Sequence, residues 1–228
     1  MRPVDLSVSE AVRVPSGGAT LDGDLVVPSD ASGIVLFAHG SGSGRRSPRN
    51  RMVAEALHVA GLGTLLVDLL TAEEALADAR GARNRFDIPL LAARLADAAA
   101  WLAGDERTAA LPAGCFGAST GAAAALVAAA AAPDRFGAVV SRGGRPDLAG
   151  DHLEAVRTPV LLLVGGQDTQ VLQLNREAAA RLAGEHELVV IPGAGHLFEE
   201  PGALEQVSSL AAKWFLRRLP QTATRSER

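Results

Sequence analysis

Short apolar runs alternate with longer stretches of helical spacing along most of the chain. Residues 33–38 and 160–164 are continuous apolar runs, which are typical of strands covered on both faces. Residues 89–103 carry leucines along one helical stripe, as expected of an amphipathic helix between strands. This alternation predicts an α/β fold with a mostly parallel central sheet and helices on both faces.

Two segments depart from that alternation. Residues 6–14 and 19–27 have alternating apolar and polar positions on either side of Pro15-Ser16-Gly17-Gly18, which predicts an antiparallel hairpin at the edge of the sheet. Residues 71–87 are charged and lack a strong apolar stripe. We therefore expect a short helix over the sheet edge at 71–87, with little or no cap domain.

The remaining elements follow the main pattern. Further strands are predicted at 63–69, 113–117, 138–141 and 188–191, and further helices at 48–60, 119–131, 174–182 and 202–219. No internal repeat and no linker divides them, so we expect a single domain over 1–219. Residues 220–228 are expected to form a disordered tail.

Composition and charge exclude several classes of protein. The 228 residues are 48% hydrophobic and 21% charged, which is ordinary for a globular domain. The formal net charge is −4, whereas nucleic-acid-binding domains are strongly basic. No apolar run approaches the roughly 20 residues that cross a bilayer, and a single cysteine, Cys115, fits a reducing compartment. We expect a cytoplasmic protein, monomeric or a small homo-oligomer, that binds neither nucleic acid nor membrane.

The pentapeptide Gly117-Ala118-Ser119-Thr120-Gly121 stands between a predicted strand and a predicted helix, the context in which Gly-x-Ser-x-Gly forms a nucleophile elbow. A Cβ at either glycine would collide across the sharp bend. The bend presents the Ser119 hydroxyl at a helix N-terminus, where backbone N–H groups favour a developing oxyanion. The structural alternative is a turn of small residues that only lets the helix pack closely.

A serine hydroxyl is a poor nucleophile near neutral pH, so it needs a general base and a carboxylate that orients the base. Asp168 follows a predicted buried strand and His196 follows another predicted strand, and the carboxyl ends of parallel strands meet at one edge of a sheet. We therefore predict a triad of Ser119, Asp168 and His196. Asp147 and Glu199 are the alternative acids, since they lie near a predicted strand end or beside His196.

The loop His39-Gly40-Ser41 follows another buried strand and can turn a backbone N–H toward the nucleophile. The amides of Ser41 and Thr120 are therefore predicted to form a two-donor oxyanion hole. His39 precedes the serine in the chain, and we expect it to hold this loop by hydrogen bonds rather than to act as the base. Three further histidines lie in a helix or in polar stretches: His58, His152 and His186.

These motifs resemble those of the α/β-hydrolase superfamily over nearly the whole chain. The small size, the short cap and the phrases His39-Gly-Ser-Gly-Ser-Gly and Gly193-Ala-Gly-His-Leu-Phe-Glu-Glu resemble the dienelactone hydrolase branch. That branch carries a cysteine nucleophile, whereas this elbow carries Ser119. Cys115 lies inside the preceding strand, where we expect a buried and unreactive thiol. The departure favours ordinary carboxylic esters over dienelactone.

The resemblance implies a hydrolase that needs neither a metal nor an organic cofactor. We expect a serine esterase that acts on small soluble acyl esters through an acyl-enzyme intermediate. A thioesterase, a lactone hydrolase and a C–C bond hydrolase are alternatives within the fold, and a non-catalytic binding module is an alternative of another class. In the dienelactone branch an arginine holds a substrate carboxylate, a role for which Arg142, Arg45 and Arg46 are candidates here. The alternative for these arginines is ordinary surface charge.

Overall fold

A computed structural model describes residues 4–81 and 83–219 of the chain. In this part of the chain eight strands alternate with six α-helices. The strands are β1 (Leu6–Ser16), β2 (Ala19–Pro28), β3 (Ile34–Ala38), β4 (Gly63–Val67), β5 (Ala113–Ala118), β6 (Ala138–Arg142), β7 (Val160–Gly165) and β8 (His186–Ile191). The helices are α1 (Pro48–Val59), α2 (Ala72–Ala79), α3 (Ile88–Gly104), α4 (Thr120–Ala131), α5 (Thr169–Ala179) and α6 (Ala203–Arg218).

The strands form one sheet in the order β1-β2-β4-β3-β5-β6-β7-β8. β1 and β2 form the predicted antiparallel hairpin at one edge, and β2 also runs antiparallel to β4. The other neighbouring pairs, from β4 to β8, are parallel. The predicted mostly parallel sheet is therefore confirmed. Its parallel strands bring their carboxyl ends to one edge, where sites in such sheets collect.

Helices cover both faces of the sheet and enclose two apolar layers. On one face α1 and α6 cover Phe37 and Phe116, whose ring centroids lie 5.0 Å apart, and Trp214 is fully buried. On the other face α3 and α4 cover residues such as Leu36, and Leu95 of α3 is fully buried there. Burial of side chains of this size contributes roughly 1.5–3 kcal/mol each.

Helix α4 is enclosed rather than laid on the surface. Its residues from Thr120 to Ala129 are all buried, and it packs against α3, the sheet and a 3₁₀ segment at Pro146–Ala155. A helix that is apolar all round belongs in a core. The small side chains of α4 let these neighbours approach its backbone, which matters because α4 begins directly after Ser119.

The helix expected at 174–182 is α5, and it begins five residues earlier. Val171 and Asn175 face the interior from its first turns, so burial starts directly after Asp168. The polar residues between these positions obscured that start in the apolar pattern. The correction matters for the site because it places Asp168 at the junction of β7 and α5.

The described residues of the charged segment 71–87 form α2 and a 3₁₀ turn at Asn84–Phe86, with no cap domain in the described part of the chain. The expected tail, 220–228, lies outside the described residues, and the single domain over 1–219 stays a prediction. Within the described ranges, no helix is both long enough and apolar enough to cross a membrane.

We expect Gly114→Ala to destabilise the fold. A Cβ at this position of β5 would lie 2.6 Å from Cε1 of the buried Phe215 ring, and overpacking of a core typically costs about 1–3 kcal/mol. Gly104→Ala is the matched control, because a Cβ there meets nothing within 4 Å. Denaturant titration measures the free energy of unfolding. Equal stability of Gly114→Ala and the wild type would contradict this account of the packing.

Candidate active site

The chain bends sharply from β5 into α4 at Ser119. This residue has φ 50° and ψ −121°, a conformation that is rare for a residue with a Cβ. Strain of this kind costs on the order of 1–3 kcal/mol and persists only where the surroundings hold it. Here the Ser119 N–H donates to the carbonyl of Arg142 at 3.3 Å, and the Ser119 carbonyl accepts from the N–H of Arg145 at 3.1 Å.

Close backbone contacts require both glycines of the elbow. A Cβ on Gly117 would lie 2.5 Å from the Cα of Ala122, across the bend. A Cβ on Gly121 would lie 2.2 Å from the carbonyl oxygen of Ala38, at the end of β3. The predicted collision across the bend is confirmed at Gly117. At Gly121 the colliding atom belongs to the neighbouring strand instead.

Asp168 and His196 are in direct contact. The distance between His196 Nδ1 and Asp168 Oδ2 is 2.6 Å, which is short enough for a charge-assisted hydrogen bond. Asp168 follows β7 with its side chain 15% exposed, and His196 stands on the loop after β8 with its side chain 40% exposed. The shielded carboxylate is placed to orient the ring, and the exposed ring is placed to meet a substrate.

Backbone contacts hold the two loops together. The N–H of Gln167 donates to the carbonyl of Ala194 at 2.9 Å. A Cβ on Gly165 would lie 2.4 Å from the carbonyl oxygens of Ala194 and Gly195. Only glycine allows the end of β7 to come this close to the loop that carries the histidine.

The end of β6 and the loop after it touch both the serine and the histidine. The carbonyl of Arg142 accepts from Ser119, and the next residue, Gly143, has φ 50° and lies against His196. A Cβ on Gly143 would be 3.0 Å from the His196 carbonyl oxygen and 3.6 Å from its Nδ1. The structure therefore brings the three predicted triad residues to one edge of the sheet.

The two alternative acids have other partners. Asp147 accepts from Arg145 at 2.8 and 2.7 Å. Glu199 accepts from Arg49 at 3.0 Å. Asp168 is therefore the carboxylate that the structure places on the candidate base.

The loop after β3 lies against Ser119, as expected. A Cβ on Gly40 would come within 3.0 Å of the Ser119 Cβ. The N–H of Ser41 donates to the Oγ1 of Thr120 at 3.0 Å. The two predicted donor residues are thus adjacent, but the Ser41 amide is engaged by the Thr120 hydroxyl, a contact that the sequence did not reveal.

His39 holds this loop, as predicted. Its Nε2 accepts from the N–H of Leu69 at 2.9 Å, so the proton of the neutral ring is on Nδ1. Nδ1 therefore donates to the carbonyl of Gly40 at 3.0 Å. Burial lowers the pKa of His39, which favours the neutral ring.

The sequence did not reveal a half-buried ion pair behind this loop. Arg94 of α3 is buried and donates to Glu74 of α2 at 2.6 and 2.7 Å. Hydrogen bonding to Arg94 lowers the pKa of Glu74 to about 2. The available signal was the spacing Thr71-x-x-Glu74, which is a capping box at the start of α2: the Glu74 N–H donates to Thr71 at 3.2 Å, and Glu74 accepts from the Thr71 N–H at 2.8 Å.

The three candidate substrate-binding arginines have different surroundings. Arg45 forms ion pairs with Asp68 and, at 3.4 Å, with Asp24. Arg46 is exposed and lines a groove of about 1120 Å³ beside the loop after β3. Arg142 is only 8% exposed, and within the described residues its Nε and Nη1 have no hydrogen-bond partner.

Electrostatics single out Arg142 further. Burial, and then the nearby positive charge of Arg49, lower the pKa of Arg142 to about 10. A bound anion would stabilise the charged form of such a guanidinium, which is buried and lies beside a second cation.

Cys115 is fully buried in β5, and burial raises the pKa of its thiol. The expectation of a buried thiol is confirmed. Among the described residues, no group of three or more histidine, cysteine, aspartate or glutamate side chains is placed to hold a metal ion.

The eight-stranded, mostly parallel sheet, with no cap among the described residues, has the architecture of an α/β hydrolase without a lid. A model described as "Dienelactone hydrolase family" matches residues 22–220. The chain belongs to the dienelactone hydrolase family.

Similar proteins extend this assignment. The crystal structure of dienelactone hydrolase from Anabaena variabilis is 56% identical, with a TM-score of 0.91 over 93% of this chain and 99% of that chain. Est1E from Butyrivibrio proteoclasticus, solved with ferulic acid bound, is 17% identical with a TM-score of 0.75 over 91% of this chain and 99% of that chain, which shows the fold alone. The Mycobacterium tuberculosis protein named "Putative phosphoribosyl transferase Rv0571c" is 58% identical over 210 residues, which are 92% of this chain and 46% of that protein. This chain therefore spans less than half the length of that relative.

We expect Asp168→Asn to lower kcat for p-nitrophenyl acetate by about 10⁴, the loss seen when the orienting acid of a serine triad is neutralised. Asp147→Asn is the matched control and should leave kcat near that of the wild type, because Asp147 is paired with Arg145. Steady-state kinetics of both purified variants measure the two effects. A larger loss in Asp147→Asn than in Asp168→Asn would show that the acid is misassigned.

Proposed function

We propose that this chain is a serine hydrolase that cleaves small, soluble acyl esters through an acyl-enzyme intermediate. The observation that carries the proposal is the 2.6 Å contact between His196 Nδ1 and Asp168 Oδ2 at the sheet edge that also carries Ser119. A histidine oriented by a carboxylate is the base that a serine nucleophile requires. Membership of a hydrolase family supports the same reaction class.

In the first half of the reaction, Ser119 Oγ attacks the ester carbonyl carbon while His196 Nε2 takes the hydroxyl proton. Asp168 accepts from Nδ1–H and stabilises the imidazolium. His196 then gives its proton to the leaving alcohol as the carbon–oxygen bond of the ester breaks, and the acyl group stays on Ser119. In the second half, His196 removes a proton from water, which attacks the acyl carbon. His196 then gives that proton to Ser119 Oγ as the acyl–oxygen bond breaks, so that the acid is released and the serine hydroxyl re-forms.

We assign stabilisation of the oxyanion to the backbone amides of Ser41 and Thr120 and to the N-terminus of α4. Donors of this kind are effective because they are already oriented before charge develops. In the free enzyme the Ser41 amide is held by Thr120 Oγ1. When the tetrahedral intermediate forms, its oxyanion accepts from the Ser41 amide, either together with Thr120 Oγ1 or in its place.

The uncovered sheet edge supports small substrates over long-chain lipids, because the described residues include no cap that would form an extended apolar channel. Est1E, which shares the fold, was solved with ferulic acid bound, so a small organic acid is compatible with a site built on this fold. Lactones, thioesters and activated C–C bonds are attacked at the same carbonyl and stay the alternative substrates. The family name favours the lactone among them.

The transferase name of the mycobacterial relative is not carried over to this chain. It describes a protein of which the aligned residues form 46%. Ser119 and His196 fit the roles of nucleophile and base in acyl transfer. A serine nucleophile elbow does not indicate phosphoribosyl transfer. A non-catalytic binding module is also disfavoured, because the Asp168–His196 contact is formed.

We further infer a cytoplasmic protein that acts on a small molecule as a monomer or a small homo-oligomer. The free and buried thiol of Cys115 supports that compartment, because cytosolic cysteines are kept reduced. The net charge of −4 disfavours a nucleic-acid partner.

The proposal predicts that Ser119→Ala abolishes turnover across a panel of p-nitrophenyl esters of increasing chain length, lactones and acyl thioesters. The fold should persist, because Ser119 contributes little packing. Cys115→Ala is the control and should keep most of the activity, since this thiol is buried within β5. Activity that survives in Ser119→Ala but disappears in Cys115→Ala would overturn the assigned nucleophile.

We assign an anionic group of the substrate to Arg142 rather than to Arg45 or Arg46. Arg45 is already paired with carboxylates, and Arg46 is exposed to solvent. Arg142 is buried and lacks an acceptor for Nε and Nη1 within the described residues. A substrate carboxylate would supply the missing acceptor and the missing countercharge.

Arg142→Gln should lower kcat/KM for mono-p-nitrophenyl succinate by about 10- to 100-fold, which corresponds to the roughly 1.5–3 kcal/mol of a hydrogen bond to a charged group. The neutral p-nitrophenyl butyrate should be hydrolysed almost as well as by the wild type. Arg135→Gln removes the same charge from an exposed position after α4 and serves as the control. An equal loss on both esters in Arg142→Gln would contradict the role in anion binding.

A further inference from the structure

We propose that Glu74 and Arg94 position the oxyanion loop, residues 39–44, through Leu69 and His39. Helix α2 would then support the catalytic geometry from behind rather than merely fill the place of a cap. The inference rests on the proposed function, because it assigns positioning residues for the same reaction. It is carried by an unbroken series of hydrogen bonds from α2 to the residue that lies against the nucleophile.

The first part of the series runs from α2 to Leu69, in the loop after β4. Arg94 forms a two-pronged ion pair with Glu74, with Nη1–Oε2 at 2.6 Å and Nη2–Oε1 at 2.7 Å. Nη1 of Arg94 also donates to the carbonyl of Leu69 at 2.7 Å. The planar guanidinium therefore fixes Leu69 relative to α2 in distance and in orientation.

The second part runs from Leu69 to the nucleophile. The N–H of Leu69 donates to His39 Nε2 at 2.9 Å, and His39 Nδ1 donates to the Gly40 carbonyl at 3.0 Å. Gly40 lies so close to Ser119 that a Cβ there would come within 3.0 Å of the serine Cβ. A displacement of Leu69 is therefore passed on to the loop that carries the Ser41 amide.

The loop needs such support because of its composition. Glycines at 40, 42 and 44 give the backbone unusual freedom, and Gly42 has φ 74°. The inner supports are well shielded, since Leu69 and Arg94 are buried and His39 is 9% exposed, whereas the Glu74 side chain is 30% exposed. Hydrogen bonds in such surroundings are strong and costly to break.

The arrangement also explains why the ion pair lies where it does. Glu74 closes the capping box with Thr71, so the same carboxylate caps the start of α2 and binds Arg94 of α3. Glu73, the neighbouring residue of α2, is exposed and has no such partner among the described contacts. The two glutamates therefore provide a matched pair of variants on one helix.

The first test compares Glu74→Gln with Glu73→Gln by steady-state hydrolysis of p-nitrophenyl acetate at neutral pH. We expect kcat of Glu74→Gln to fall at least about tenfold with KM little changed, because small misplacements of catalytic groups cost up to about 10²-fold. Glu73→Gln should match the wild type. Circular dichroism and thermal melting establish the folded fraction. An unchanged kcat per folded molecule of Glu74→Gln would overturn the proposal and leave the ion pair a purely structural role.

The second test addresses the path through His39 and does not depend on the stability of Glu74→Gln. The amide nitrogen of asparagine can replace Nδ1 of histidine, so His39→Asn keeps a donor for Gly40 but loses the acceptor for Leu69. We expect His39→Asn to lower kcat, and the double variant with Glu74→Gln to be no slower than His39→Asn itself. If the loss of kcat in the double variant equals the product of the two single losses, Glu74 and His39 act independently and the proposed path is overturned.

Ser119→Ala, assayed in parallel, separates the two proposals. Turnover that persists in Ser119→Ala would refute the serine mechanism and, with it, this inference. If Ser119→Ala is inactive while Glu74→Gln and His39→Asn keep full activity, only the positioning role of the hydrogen bonds from α2 is refuted.

Discussion

The bend between β5 and α4 is the constraint on which the rest of the site depends. It holds Ser119 at φ 50°, and it is possible only because Gly117 and Gly121 have no Cβ, which would lie 2.5 and 2.2 Å from neighbouring backbone atoms. The contact at Gly121 is made by the end of β3, so the same bend brings the loop after β3 against the serine. Enclosure of the small-residue helix α4 on all sides supplies the burial that opposes the strain.

Close approaches at glycines also assemble the other strand ends. Gly165 lets the end of β7 meet the backbone of the loop that carries His196, and Gly143 lets the loop after β6 lie against the same histidine. Polar contacts then fix the side chains: Asp168 fixes the His196 ring, and the series from Glu74 to His39 supports the loop after β3. Close backbone packing at glycines therefore brings the strand ends together, and hydrogen bonds orient the groups that are proposed to react.

The parts predictable from sequence were those with a local signal. The elbow at Ser119 combines fixed glycine spacing with a strand-to-helix context, and Asp168 and His196 each follow a short apolar run. The run before Asp168 is fully buried as β7, whereas the run before His196 forms the edge strand β8, which is largely exposed. The start of α5 was missed because polar residues alternate with its inward-facing Val171, and the link from Arg94 to Leu69 was missed because it joins residues distant in the chain. The bond from Ser41 to Thr120 depends on a loop conformation that residue types do not specify. Long-range side-chain contacts of this kind require the fold before they can be seen.

The central claim is that Ser119 is the nucleophile of a covalent mechanism. Intact-mass measurement after treatment with a fluorophosphonate, followed by peptide mapping, tests it most directly, because the reagent reacts with an activated serine hydroxyl. The account predicts one adduct per chain on the peptide that contains Ser119, and strongly slowed labelling in His196→Ala. Continued ester hydrolysis by a protein that takes up no adduct, or a stoichiometric adduct on another residue, would contradict the account.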